Sequence, residues 1–261
     1  MEFDETCMGL MDYDEWLWMK MNHKGDSRMK DPVEMDRKVK VMNEINEKFL
    51  LDEKILIVPS YTMGRQLLHS FAECGIVLLN LNLKTISGLA VEYYERYLYD
   101  DSNEIIGSDT GRLLIYNILN SLKKNDQLVY FNELQITAGI SNAIYNTLHE
   151  IRMAGYSAED MATEYFISAD KAEDIGRMLS LYEKELQERS YLDTADIFRI
   201  LVDKFKGIDS DIGPDKDIDS EIGVNRDLAK SIYIIPSNLE VNYLEREFLN
   251  LLFHNNEDIN E

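Results

Sequence analysis

With 261 residues, 45% of them hydrophobic, the chain can bury a proper core and form one large domain or two small ones. A formal net charge of −22 and a pI near 4.5 exclude a surface that attracts phosphates everywhere, so any nucleic-acid contact must be local or made through a partner. Cys7 and Cys74 are too few and too far apart for a disulfide framework or a CxxC metal site, the acidic start has no signal-peptide pattern, and no apolar run reaches the ~18 residues of a membrane span; the expectation is a soluble cytoplasmic protein with no membrane association.

Residues 1–53 read as an N-terminal helical extension. Tyr13, Trp16, Leu17 and Met21 recur at near-helical spacing, a short amphipathic helix that suits either core packing or docking. Glycine, serine and proline between Gly25 and Pro32 interrupt the pattern, and Val39, Met42, Ile45 and Phe49 then mark a second helix from Met35 to Leu50. The run Lys54 to Pro59, continuous in apolar residues and closed by Pro59 and Ser60, predicts a buried parallel strand. A helix over Tyr61 to Ala72 is ended by Gly75, a second strand is expected over Ile76 to Leu81, and Thr85 is placed to cap a helix burying Leu89 and Tyr93.

Residues 109–206 are predicted to form a helical subdomain. Asp109 is the expected cap of a helix carrying Leu114, Ile115, Ile118 and Leu122; Ser157, with Glu159 and Asp160 behind it, marks another start; helices over Lys171 to Glu188 and from Asp193 or Thr194 to Phe205 follow. Residues 207–228, rich in aspartate and glycine with the near-repeat Ile208 to Gly213 and Ile218 to Gly223, read as a flexible acidic loop. A calcium-binding register from Asp215 fails, because Ser220 stands at the turn position and Arg226 at the twelfth. Strand composition returns at Ser231 to Pro236, followed by a helix from Leu239 to Phe253 with Glu240 in its first turn.

Three segments in this order carry a family resemblance: Ile55 to Ser60 with its following helix, Lys84 to Ala90, and Tyr191-Leu-Asp-Thr-Ala-Asp-Ile-Phe198. Together they resemble the N-terminal helicase-like region of AddB-type proteins, relatives of the RecB and UvrD helicases in the PD-(D/E)XK nuclease family. The resemblance covers about Lys54 to Leu252 and implies a degenerate RecA-like, P-loop-type α/β fold. Its parallel sheet would come from residues 54–108 and 229–254, with the large helical subdomain inserted between them. It also implies a setting in DNA double-strand-break repair and recombination, where the family's ATP-dependent helicase and exodeoxyribonuclease activities belong.

The departures narrow the expected activity. No Gly-Lys-Ser/Thr phosphate loop exists, and Asn22 to Ser27 lacks its glycine spacing; Ser237 and Asn238 stand where a motor places its acidic pair. No Pro-Asp followed by Glu-x-Lys marks a nuclease centre, and His23, His69, His149 and His254 are scattered. The chain is therefore read as non-catalytic, with no cofactor, no metal and an inactive P-loop, truncated before the nuclease domain. The expected role is a non-motor scaffold that works with single-stranded or broken-end DNA and with a helicase partner subunit or the missing C-terminal nuclease domain. In the resembling family the loop after the first strand faces single-stranded DNA, which makes Thr62 and Arg65 candidate DNA contacts, with Lys84 before the second helix a further basic candidate; Arg112, Lys123 and Lys124 are the other basic positions, and solvated surface charge is the alternative reading of them all. The alternative reading is an acidic protein–protein interaction module without a DNA role, using the Trp16 and Trp18 region and the acidic loop.

Overall fold

In the computed structural model the residues described are 32–161, 166, 168–211, 231–236 and 239–254; the amphipathic pattern of residues 13–21, the loop over 212–228, Ser237 and Asn238 lie outside them. The described residues are α/β, with eight α-helices and a small parallel sheet. They divide into two compact units, one holding residues 32–89 and 231–241, the other 90–211 and 242–254.

In the first unit, helix α1 (Pro32–Lys48) leads to strand β1 (Glu53–Ile57), helix α2 (Tyr61–Glu73), strand β2 (Leu81–Lys84) and the start of helix α3 (Ile86–Tyr97). The later strand β5 (Ser231–Ile234) returns to this unit. The sheet order is β2-β1-β5 with both pairings parallel, Ile57 opposite Lys84 and Leu56 opposite Ile234. Because β1 is central, Ile55, Leu56, Ile57 and Val58 are all buried, and the strand needs apolar residues on both faces instead of an alternating pattern. One core cluster joins Leu56, Val58 and Ile234 of the sheet to Val41, Met42 and Ile45 of α1 and Leu67 and Phe71 of α2. Gly64 is required by that contact: a Cβ there would stand 2.8 Å from Leu83 Cδ1 and 3.2 Å from Val58 Cγ2.

The amino edge of the sheet is fastened by two side chains of β1. Glu53 accepts hydrogen bonds from Asn82 Nδ2 (2.8 Å) and Ser231 Oγ (2.6 Å), so one carboxylate grips both flanking strands. Lys54 is fully buried and donates to the carbonyls of Leu50, Asp52 and Leu79; its burial lowers its pKa, and the carbonyl oxygens replace the water it gives up.

The second unit contains α4 (Ser108–Lys124), α5 (Ala138–Met153), a one-turn 3-10 segment (Ala158–Asp160), α6 (Ala169–Arg189), α7 (Thr194–Asp211) and α8 (Tyr243–His254). Two-residue strands β3 (Glu104–Ile105) and β4 (Tyr191–Leu192) pair in parallel. Its core joins Ile115, Ile118 and Leu122 of α4, Ile144 and Leu148 of α5, and Ile175, Met178, Leu179 and Tyr182 of α6. Phe248 of α8 packs edge-on against Phe198 of α7, with ring centroids 5.5 Å apart.

Several element boundaries differ from those predicted. The second strand is Leu81–Lys84 and not Ile76 to Leu81: Ile76 is drawn into the core after Gly75 (φ 77°), and the chain first pairs with β1 beyond the left-handed Asn80 (φ 53°). The cap of α4 is Gly107 instead of Asp109, which lies in the first turn paired to Arg112 at 3.0 Å. Ser157 opens only the 3-10 turn, closed by its reciprocal hydrogen bonds with Asp160. α7 runs on to Asp211, into the segment read as loop from Gly207. The last helix starts at Tyr243, four residues after Leu239, because Asn242 and Glu245 form a reciprocal cap (3.0 and 3.1 Å); Glu240 therefore lies before the helix, exposed.

Candidate nucleic-acid interface

Parallel strands all end at one edge of their sheet, and the connections there carry the helix N-termini that follow. In the first unit this carboxyl edge gathers the ends of β1, β2 and β5 with the starts of α2 and α3. The chain leaves central β1 toward β2 and later reaches β5 on the other side, which makes β1 and β5 the switch point of the topology.

Each helix start is built from its own sequence. Ser60 caps α2, its Oγ accepting from Met63 N at 3.3 Å, and Thr85 caps α3, its Oγ1 accepting from Gly88 N at 3.0 Å. Neither helix has an acidic residue in its first turn, so the positive ends of both backbones are left uncompensated by carboxylates. Gly88 is hemmed in at this edge, since a Cβ would lie 3.3 Å from the Tyr61 hydroxyl. From Lys54 to Val91 the sequence contains a single acid, Glu73, at the last position of α2 and thus away from this edge. Glu240, just beyond β5, is the exposed acid on the switch-point side.

The sequence-derived positions fall as follows. Thr62 and Arg65 are exposed, three residues apart on the first turns of α2 and so on one face of it. Lys84 is the last residue of β2, half-buried, its carbonyl accepting from Val58 N at 2.8 Å. All three belong to the carboxyl edge. Arg112, Lys123 and Lys124 belong instead to the second unit, where Arg112 pairs with Asp109 and Lys123 donates to the carbonyl of Leu134.

Among the described residues a buried polar centre gathers around Arg152; sequence reasoning named Asp193 as a helix cap and the segment from Tyr191 to Phe198, but not Arg152 or Glu183. Arg152, 1% exposed, reaches from α5 to Glu183 Oε1 (2.9 Å), Asp193 Oδ1 (3.2 Å) and Asp196 Oδ1 (2.6 Å). Asp193 also accepts from Ala195 N and Asp196 N, capping α7, while Tyr182 Oη donates to its other oxygen at 3.2 Å. Asp196 returns a bond by accepting from Asp193 N at 3.2 Å. The pair of aspartates in the segment from Tyr191 to Phe198 thus builds a helix start around one arginine. The signal in the sequence was Arg152 standing on the apolar stripe of Ile144, Tyr145 and Leu148.

One guanidinium cannot neutralise three carboxylates, and the aspartates divide its charge unequally. Burial opposes the charge on Asp193, but Arg152 and the backbone donors overcome it and hold the carboxyl below the usual range. Asp196 is pushed up to about 6, first by burial and then by the neighbouring Asp193 charge. Burial lowers the pKa of His149, stacked on Tyr145 with centroids 5.8 Å apart, and raises that of Tyr182. The arrangement is an anchor that ties α5, α6 and α7 together through Arg152 Nη1 and Nη2, while Arg152 Nε and His149 Nδ1 are buried without a hydrogen-bond partner.

Among the described residues no set of three or more His, Cys, Asp or Glu side chains is arranged to hold a metal ion, and no helix is long and apolar enough to cross a membrane. No curated protein matches the chain. The model of the family described as ADDB, N-terminal, matches residues 34–211, more than half of the 261, and the chain belongs to that family.

Proposed function

We propose that the chain serves as a non-motor, helicase-like scaffold region of a DNA-repair and recombination nuclease subunit. In this reading residues 54–108 and 229–254 form a degenerate RecA-like core, residues 109–206 are the helical subdomain inserted in it, and the acidic segment that follows α7 leads back to β5. The carboxyl edge tracks one DNA strand, with Arg65 and Lys84 pairing phosphates and Thr62 donating a hydrogen bond, while a helicase partner or a nuclease domain supplies the chemistry. The observation that carries the reading is membership of the ADDB N-terminal family, supported by an edge nearly free of acids in a chain of net charge −22.

Fluorescence anisotropy with a labelled single-stranded oligonucleotide tests it. The full chain is expected to bind, Arg65→Ala and Lys84→Ala each to weaken binding, and Lys124→Ala to leave it unchanged. Binding that is absent at low salt, or indifferent to both substitutions, would leave the acidic protein-interaction module as the better account.

A further inference from the structure

In the first unit, four large apolar side chains stand out of the amino edge of the sheet: Leu50 (48% exposed), Leu51 (77%), Val77 (69%) and Leu79 (43%). They come from the two segments that lead into β1 and β2, and those segments are tied together. Asn80 Nδ2 donates to Leu51 O at 2.7 Å, buried Lys54 donates to both Leu50 O and Leu79 O, and Asn46 Nδ2 donates to Val77 O at 2.8 Å. A patch held in a fixed shape can be covered without first being ordered, which lowers the cost of contact. The edge is also negative. Glu47, Asp52 and Glu53 are exposed beside the patch, and Glu53 is held in place by Asn82 and Ser231. Both α1 and α2 end here, and the last turn of α2 has no basic residue to offset its carbonyls. The base alongside, Lys48, lies over the Phe49 ring, its Nζ 5.1 Å from the centroid.

We propose that this edge docks an apolar segment of another protein whose flanks carry lysine or arginine. The sign of the rim selects the occupant. A second copy would set two acidic rims and two sets of negative helix ends face to face, and nucleic acid or an anionic lipid surface would meet the same repulsion, in a chain of net charge −22. A basic partner gains from the rim while its apolar side chains cover Leu51 and Val77, the two most exposed of the four and one from each tied segment. The amino and carboxyl edges are opposite ends of the same strands, so this contact is independent of the DNA contact proposed above.

The probe is a labelled amphipathic peptide built of leucine and lysine alone, read by fluorescence anisotropy against the full chain at physiological ionic strength. Binding is expected, and it should be lost when glutamate replaces the peptide's lysines or serine its leucines. Leu51→Ser with Val77→Ser should weaken it by about tenfold or more, and Glu47→Lys by about threefold, with the far-ultraviolet circular dichroism retained. Leu113→Ser, at an exposed apolar position of the second unit, should leave it unchanged. If the double variant loses its helical signal, Leu51→Ser alone decides, because that side chain is too exposed to support the core. Equal binding of the serine and lysine peptide would show bare attraction to the net charge and overturn the proposal, as would binding indifferent to the patch substitutions. Absence of binding overturns it too; a dimer seen by light scattering and dissolved by Leu51→Ser would then give the patch to a second copy.

Discussion

Replacing Arg152 by methionine keeps much of the side-chain volume but strands the buried Asp193 and the partly exposed Glu183 and Asp196, two of the three on the first turn and cap of α7. Breaking a buried pair in this way costs about 3–5 kcal/mol, and urea denaturation of Arg152→Met should show a loss of that size; a change under about 1 kcal/mol would mean that the carboxylates remain hydrated in place. The two aspartates carry opposite pH signatures. Asp193, held below its ordinary value, contributes stability that is present above ~3.9, the unfolded value, and is lost as pH falls. Asp196 has a folded value of about 6, so the folded state retains a proton that the unfolded state releases above ~3.9, and its effect is to make stability fall as pH rises through that window. Asp196→Asn has no charge to titrate: its melting temperature, minus that of the wild type, should increase from about pH 4 to about pH 7. A difference that stays level across the window contradicts this assignment of the shared charge.

At the scale of elements, close approach and capping decide stability more than helix propensity does. Gly64→Ala places a methyl group 2.8 Å from Leu83 and 3.2 Å from Val58, where α2 meets the sheet, and should destabilise by about 1–3 kcal/mol through overpacking. Gly139→Ala, on the first turn of α5 with nothing nearer than Thr137 Oγ1 at 3.8 Å, should be neutral or stabilising by up to about 1 kcal/mol. Thermal melts of the two alanine variants provide the comparison, and equal effects would discount the packing argument. The cap of α8 offers a separate check, since Asn242→Ala removes one half of a reciprocal pair and should cost about 1 kcal/mol.

For the whole molecule, charge is the controlling quantity. On the proposed function, phosphate contact through Arg65 and Lys84 in a chain of net charge −22 should give a shallow salt dependence with single strands. The logarithm of the binding constant is expected to fall with the logarithm of salt concentration at a slope of about −1.4, relaxed by about 0.7 in either alanine variant. Thr62→Ala should weaken binding at every salt concentration without altering that slope, since it removes no charge. A much steeper slope would require a basic surface other than the carboxyl edge.

What the sequence determined by itself was local and patterned. The apolar run of β1, the stripe of α4, and the caps at Thr85 and Asp193 are dictated by neighbours within a few residues, where side-chain period and backbone donors act directly. The order of segments was also enough for the family. Tertiary structure decided the rest. Ile76 leaves a strand-like run because it packs into the core cluster of α1, α2 and the sheet, and two-residue β3 and β4 exist only because each supplies the other's hydrogen bonds. Arg152 is tolerated on an apolar stripe because Glu183, Asp193 and Asp196 arrive from 31 to 44 positions further along the chain. A buried charge is stabilised by partners fixed in space, and linear spacing does not disclose which distant carboxylates the fold will bring to it.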